Sequence, residues 1–357
     1  MHNSTTHGSV RLGLPSLEIF KFPSQPHKVA PHLRAPPSNM HEPKIFYFFD
    51  ITPDIFHTVV DLRFVLTFIL AYVTTVLFLN QYNASRQYRP WAISKSSFFK
   101  AFVFVHNSML AIFSAWVIIG IIHGVIAHGP RVEQHNFYAS MVEFMCQSDT
   151  AAFQLSTDAK SFVDQGAMYF GCVFYLSKYY EVIDTLIILM KGKKSSTLQT
   201  YHHAGVILCG WSAVTYESPV GFVGVALNAV VHTLMYSYFA LQTIGIQVSM
   251  NIKRSLTGIQ IAQFLVGMVW SLAYLFVGYT VPSSEAKKPV GNPLTPAIGS
   301  HASYVNSSVG SSDTMIPCLS DSGEATPLFM TNLYVLPLIY LFVQFFTRSY
   351  RKEKKVI

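Results

Sequence analysis

The stretch Leu198-Gln199-Thr200-Tyr201-His202-His203 opens an apolar segment that runs on to Tyr216. In a helix, Gln199, His202 and His203 stand three and four positions apart and share one face. Two adjacent imidazoles at the edge of a membrane core are costly to bury, and an intramembrane ionisable cluster points to a functional site. The plainer alternative is a pair of interfacial histidines satisfied by backbone or water.

The chain around this stretch has 357 residues, 51% of them apolar and 12% charged. Several apolar runs approach the roughly 20 residues that cross a bilayer, so the chain reads as an all-α polytopic membrane protein. Its formal charge of +7 does not point to nucleic acid, because Lys and Arg gather in short clusters between the apolar runs. Such clusters set topology and can hold an anionic group. Cys146, Cys172, Cys209 and Cys318 are too few and too far apart for a disulfide framework or a zinc motif.

Residues 1–61 are rich in Pro, His and Ser, with no sustained period and no signal-peptide run, and read as a mostly irregular tail. Seven transmembrane helices are expected within residues 62–347, at 62–79, 97–127, 166–190, 198–216, 220–245, 256–279 and 329–346. A long loop at about 281–328 precedes the last of them, and 348–357 form a basic tail. Arg86, Arg89 and Lys95, then Lys191, Lys193 and Lys194, then Lys253 and Arg254, then the tail, fall in alternate connections. The positive-inside rule puts these in the cytosol and residues 1–61 in the lumen. The terminal Lys354-Lys355-Val356-Ile357 resembles a dilysine retrieval signal of the endoplasmic reticulum, or is a plain stop-transfer cluster. Asn3 and Asn306 begin lumenal sequons, whereas the Asn83 sequon is expected in the cytosol and unmodified.

Polar residues inside the spans fall on stripes. Lys178, Glu181, Asp184 and Thr185 fit within an arc of about 120°. Asn228, His232, Met235 and Tyr236 share a second face, Thr257, Gln260 and Gln263 a third, and the second span adds His106 and Asn107. One stripe is accounted for by hydrogen-bonded packing between helices. Several, with histidines among them, point to a polar chamber. A di-iron site of the desaturase kind needs several histidine boxes, and only one is present, beginning with the poor ligand Gln199, so no metal is expected. Nucleophilic or acid–base work by an imidazole needs less. Cys209, seven residues after His202, competes for the nucleophile's role but reads as a small buried hydrophobe.

Taken together, these residues resemble the very-long-chain fatty-acid elongases, condensing enzymes of the endoplasmic reticulum. The match lies in Lys178-x-x-Glu181-x-x-Asp184-Thr185, Tyr201-His202-His203, His232-x-x-Met235-Tyr236-x-Tyr238-Phe239, Thr257-x-x-Gln260-x-x-Gln263-Phe264 and His106-Asn107. The family box usually begins with His. Gln199 resembles the variant box of many polyunsaturated-acyl elongases of lower eukaryotes.

The resemblance implies a 3-oxoacyl-CoA synthase acting on acyl-CoA and malonyl-CoA without a cofactor. Six of its seven helices would form an inverted barrel around an acyl tunnel. It implies His202, the middle histidine of the box, as the nucleophile, with His203 and His232 assisting and Gln199, Glu181 and Asp184 orienting. Lys178, Asn228, Tyr236, Gln260, Gln263, His106 and Asn107 would face substrate, and Lys191, Lys193, Lys194 and Arg254 would meet CoA phosphates. It implies a disulfide between Cys146 and Cys318, two residues also assigned to the oxidising lumen; two free thiols are the alternative. The expected partners are the ketoacyl reductase, dehydratase and enoyl reductase of the cycle, and a second copy of the chain. Very-long-chain products feed sphingolipid synthesis. A seven-helix lipid transporter or receptor is the competing reading.

Overall fold

Ser, Thr and Asp residues stand where several of the apolar runs begin, and their side chains satisfy amides that the first helical turn leaves free. The structure, a computed structural model, describes residues 9–23, 48–130, 137–146, 166–282, 313–319 and 321–350. Thr52 caps α1 (Pro53–Val60), and Asp61 both ends that helix and accepts from Arg63 to start α2 (Leu62–Ser85). Ser96 caps α3 (Ser97–His128), and α4 (Phe137–Cys146) follows. Next come α5 (Met168–Glu181), α6 (Ile183–Met190) and α7 (Thr197–Thr215), the last capped by Ser196. Pro219 opens α8 (Pro219–Thr243), Ser249 caps α9 (Met250–Ala273), and α10 (Ser322–Tyr350) closes the described chain.

Among the described residues, five helices are long and apolar enough to cross a membrane: α2, α3, α8, α9 and α10. The other two expected spans differ for physical reasons. The run 166–190 divides at Val182 into helices of 14 and 8 residues, beside the charged Lys178, Glu181 and Asp184. α7 has 19 residues but carries Gln199, His202 and His203, which lower its apolar character. Both are inner elements: α5 is buried from Met168 through Tyr175 and packs on α7 within the largest core cluster. α2, in contrast, exposes Leu66, Leu70, Leu77 and Phe78.

The all-helical expectation needs one correction. The sixth apolar run ends its helix at Ala273, and Val277–Pro282 forms strand β2. Its β-branched and aromatic residues suit a pleated strand. β2 pairs antiparallel with β1 (Val10–Leu12) on one side and β3 (Asp313–Pro317) on the other, Tyr279 lying opposite Val10 and Ile316. A disulfide joins Cys146, at the end of α4, to Cys318, just after β3. Within 1–61, the described residues thus hold β1, a 3-10 turn at Leu17–Phe20 and α1.

The sheet marks one end of the bundle, where Ser218 donates to the Glu324 carbonyl and Trp211 to the Val60 carbonyl. At the opposite end lie the basic connections. Asn83 is fully buried there: its amide nitrogen donates to the Leu189 carbonyl and its oxygen accepts from the Trp91 indole. Burial alone makes this sequon unavailable for glycosylation. Asn3, Asn306 and the dilysine tail lie outside the described residues. Tyr350 donates to the Lys253 carbonyl, bringing the end of α10 to the start of α9.

Gly192 is a point of close backbone approach at the basic end. It sits at φ +72°, and a Cβ there would meet the Tyr88 oxygen at 2.4 Å and the Pro90 nitrogen at 2.8 Å. Gly192→Ala is expected to cost about 1–2 kcal/mol from the left-handed backbone alone, before the clash. Thermal unfolding in detergent should show a lowered midpoint; an unchanged one would mean the loop can rearrange freely.

Candidate active site

The polar stripes of α5–α6, α7 and α8 converge in the interior towards the basic end. On α5, the Lys178 ammonium donates to Glu181 Oε1 at 2.8 Å and lies 3.7 Å from the Phe174 ring centroid. It also reaches Asn228 Oδ1 and His232 Nδ1, each at 3.5 Å. Lys178 and Glu181 are almost wholly enclosed (2% and 1% exposed), and Ser177 gives the carboxylate a further hydrogen bond at 2.9 Å. Because the ammonium can only donate, His232 Nδ1 accepts, and its ring proton sits on Nε2.

A second network lies one turn further along. Asp184 accepts from His106 Nε2 at 2.8 Å and from the Tyr236 hydroxyl at 2.6 Å, while the Tyr180 hydroxyl lies 3.0 Å from His106 Nδ1. The histidine oriented by Asp184 is therefore His106, not a member of the box. Glu181 Oε2 lies 3.7 Å from His232 Nδ1, too long for a hydrogen bond.

The two box histidines differ sharply. Gln199 Nε2 donates to His203 Nε2 at 2.9 Å, and His203 Nδ1 is buried without a partner among the described residues. Gln199 also approaches Thr185, itself bonded to Tyr72 at 2.9 Å. His202 turns the other way. Its Nδ1 is 3.0 Å from the hydroxyl of Tyr334 on α10, and among the described residues nothing hydrogen-bonds its Nε2.

His202 also stands in the wall of a cavity shared with Lys178, Asn228, Gln263 and Tyr334. The cavity continues along α7 past Val206, Cys209 and Gly210 to Val214, with Val220, Phe222, Phe264 and Val335 among its walls. From His202 to Val214 the helix rises about 18 Å. Lys178, His202, Asn228 and Gln263 stand towards the basic end, and the remaining lining is chiefly apolar, with Ser218, Ser271, Thr331 and Asn332 among it. Cys209 lines this channel as a free, buried thiol.

The profile of the GNS1/SUR4 family (ELO) matches residues 58–356. The chain belongs to this family. Fatty acid elongase 2 of Trypanosoma cruzi (strain CL Brener) is 26% identical over 266 residues, 74% of this chain and 78% of that protein. Fatty acid elongase 2 of Trypanosoma brucei brucei (strain 927/4 GUTat10.1) is 28% identical over 65% of this chain and 71% of its own length. Fatty acid elongase sre1 of Dictyostelium discoideum is 32% identical over 58% and 68%.

Several expected residues of this ELO-family chain lie off the cavity wall. The Asn107 amide donates within its own helix, to the Val103 carbonyl, and Gln260 contacts Met235 Sδ at 3.3 Å. Arg254 lies over the Phe346 ring, apart from the open recess formed by Tyr88, Lys191, Gly192, Lys193 and Lys194. Within that recess, partial desolvation and then the charge of Lys193 lower the Lys191 pKa. A bound polyanion would reverse the second effect. Among the described residues, no three His, Cys, Asp or Glu side chains are grouped to hold a metal ion.

Tyr334 joins the site from α10 without a motif of its own: its ring stacks on Tyr201 at 5.4 Å and presses on α7 at Gly205. A Cβ on Gly205 would meet that ring at 2.1 Å, so only glycine lets α10 approach so closely. A tyrosine in an otherwise apolar span, two residues after Asn332, was the available signal.

Proposed function

We propose that this chain is the condensing enzyme of a fatty-acid elongation cycle, a 3-oxoacyl-CoA synthase. It joins a long-chain acyl-CoA to malonyl-CoA and releases carbon dioxide and CoA. The observation that carries the reading is an unengaged imidazole nitrogen, His202 Nε2, at the polar end of an apolar channel in an ELO-family chain. The channel holds the acyl tail, each buried methylene contributing about 0.8 kcal/mol. Gln199 ties up His203, which supports His202 as the nucleophile.

The Nε2 lone pair attacks the thioester carbonyl. A C–N bond forms, the C–S bond breaks, and CoA leaves as thiolate to be protonated by water. Malonyl-CoA then occupies the same mouth and loses carbon dioxide. The electron pair of the broken C–C bond attacks the acyl carbon, the C–N bond breaks, and its electrons return to Nε2. Lys178 supplies positive charge and Asn228 hydrogen bonding beside the developing enolate, with His232 next to both. Asp184, His106 and Tyr236 hold the neighbouring helices in register. The recess of Lys191, Lys193 and Lys194 receives CoA phosphates.

With α5–α6 and α7 counted as two further crossings, the chain passes the membrane seven times and six helices enclose the channel as an inverted barrel. The basic end faces the cytosol and the sheet with its disulfide faces the lumen of the endoplasmic reticulum. Reductase and dehydratase partners take the product onward, and Gln199 favours polyunsaturated acyl chains.

Protein purified in detergent should convert acyl-CoA and malonyl-CoA to 3-oxoacyl-CoA with one carbon dioxide per turnover. Absence of product across saturated and polyunsaturated acyl-CoAs would favour a lipid transporter instead. Expression in an elongase-deficient host, with acyl-chain profiling, identifies the preferred chain.

A further inference from the structure

A hydroxyl has one proton to give, and the Tyr334 hydroxyl has two neighbours on His202. It lies 3.0 Å from Nδ1 and 3.2 Å from the His202 main-chain carbonyl oxygen. The carbonyl can only accept, so the Tyr334 proton goes there, and the oxygen lone pair is left to accept from Nδ1–H. Donation to Nδ1 instead would leave two oxygens facing each other with no proton between them. The alternative tautomer is therefore disfavoured by simple counting.

We infer that Tyr334 is a positioning residue that holds the proton of His202 on Nδ1, leaving the lone pair of Nε2 directed to substrate. The inference deepens the condensing reading and rests on it for its kinetic consequence. Other interactions fix the tyrosine independently of the histidine: its ring stacks on Tyr201, whose hydroxyl donates to the Tyr334 carbonyl at 3.1 Å, and Gly205 leaves room for it against α7. The hydroxyl is thus placed before any substrate arrives.

The retained proton matters in both halves of the reaction. During acylation it makes Nε2, and not Nδ1, the nucleophilic atom. The adduct is an acyl-imidazolium, because Nδ1 keeps its proton while the thiolate leaves with the C–S electron pair. When the malonyl-derived carbanion attacks, the C–N electrons return to Nε2 and the leaving group is neutral imidazole. No proton has to move in that step. An imidazole protonated on Nε2 instead would have to lose that proton before it could attack from the cavity side.

Tyr334→Phe removes the hydroxyl and keeps the ring that fills the space against Gly205. Two measurements test the inference. In protein labelled with 15N-histidine, with His202 assigned by its loss in His202→Ala, the His202 resonances should report the Nδ1–H tautomer. In Tyr334→Phe they should report a mixture. In single turnovers with acyl-CoA alone, CoA release should slow by about 10- to 100-fold, the loss matching one buried hydrogen bond. KM for acyl-CoA and the unfolding midpoint should change little, which a merely structural role would not give. A His202 protonated on Nε2 in the unsubstituted protein, or a Tyr334→Phe variant that releases CoA at full rate, would overturn the inference. Because the resonance measurement needs no turnover, a failure of the condensing reading shows separately, as no CoA release from the unsubstituted protein while the Nδ1–H tautomer is present.

Discussion

His202→Ala protein should retain its fold and bind acyl-CoA, yet form no 3-oxoacyl-CoA above background. A positioned imidazole acting only as a general base contributes about 10²–10⁴-fold, so its loss would leave slow, measurable turnover. A nucleophile that carries the acyl group leaves nothing comparable. The structure gives reasons why no neighbour substitutes. His203 Nε2 is occupied by Gln199 and its Nδ1 is sealed, and His232 Nδ1 faces the Lys178 ammonium. Cys209 lies two turns deeper along the channel. Residual activity within a factor of ten of the unsubstituted enzyme would remove His202 from the chemistry.

Lys178→Met should be the most damaging single substitution for stability. The ammonium and the Glu181 carboxylate are both enclosed, 2.8 Å apart, with a phenylalanine ring against the ammonium. Removing one partner strands the other charge, which typically costs about 3–5 kcal/mol. The paired variant, Lys178→Met with Glu181→Leu, should recover most of that loss, since replacing both charges by apolar groups of similar size is often neutral. Thermal unfolding of the two variants in one detergent decides the matter. The paired variant should still be inactive, because Asn228 and His232 have lost the cation between them. If the single and paired variants melt alike, the pair contributes nothing as a pair.

Local periodicity made much of the site legible. The spacing of Lys178, Glu181 and Asp184, and of Asn228, His232 and Tyr236, fixed which faces would be polar, and helices could satisfy those spacings in only one way. Charge clusters fixed which connections share an end. What depended on contacts between distant segments was not legible. Tyr334 meets His202 across 132 positions, and nothing in either segment alone announces the pairing. β1 is three residues long and has no strand signal apart from β2. Arg254 reads as one more cation of the basic end, and its place over the Phe346 ring, 92 positions away, has no signal in its own segment. The interruption at Val182 has no signal of its own in the apolar run, since the residue keeps right-handed helical angles.

If His202 carries the acyl group, the first half of the reaction needs no second substrate. The most direct test omits malonyl-CoA altogether. Enzyme in detergent, mixed with excess acyl-CoA, should release one equivalent of CoA in a burst and then stop. Intact mass should rise by one acyl group, and peptide mapping under mild conditions should place that group on the fragment containing His202. A missing burst with no added mass, or an adduct found on the Cys209 thiol while His202 stays free, would show that His202 does not carry the acyl group.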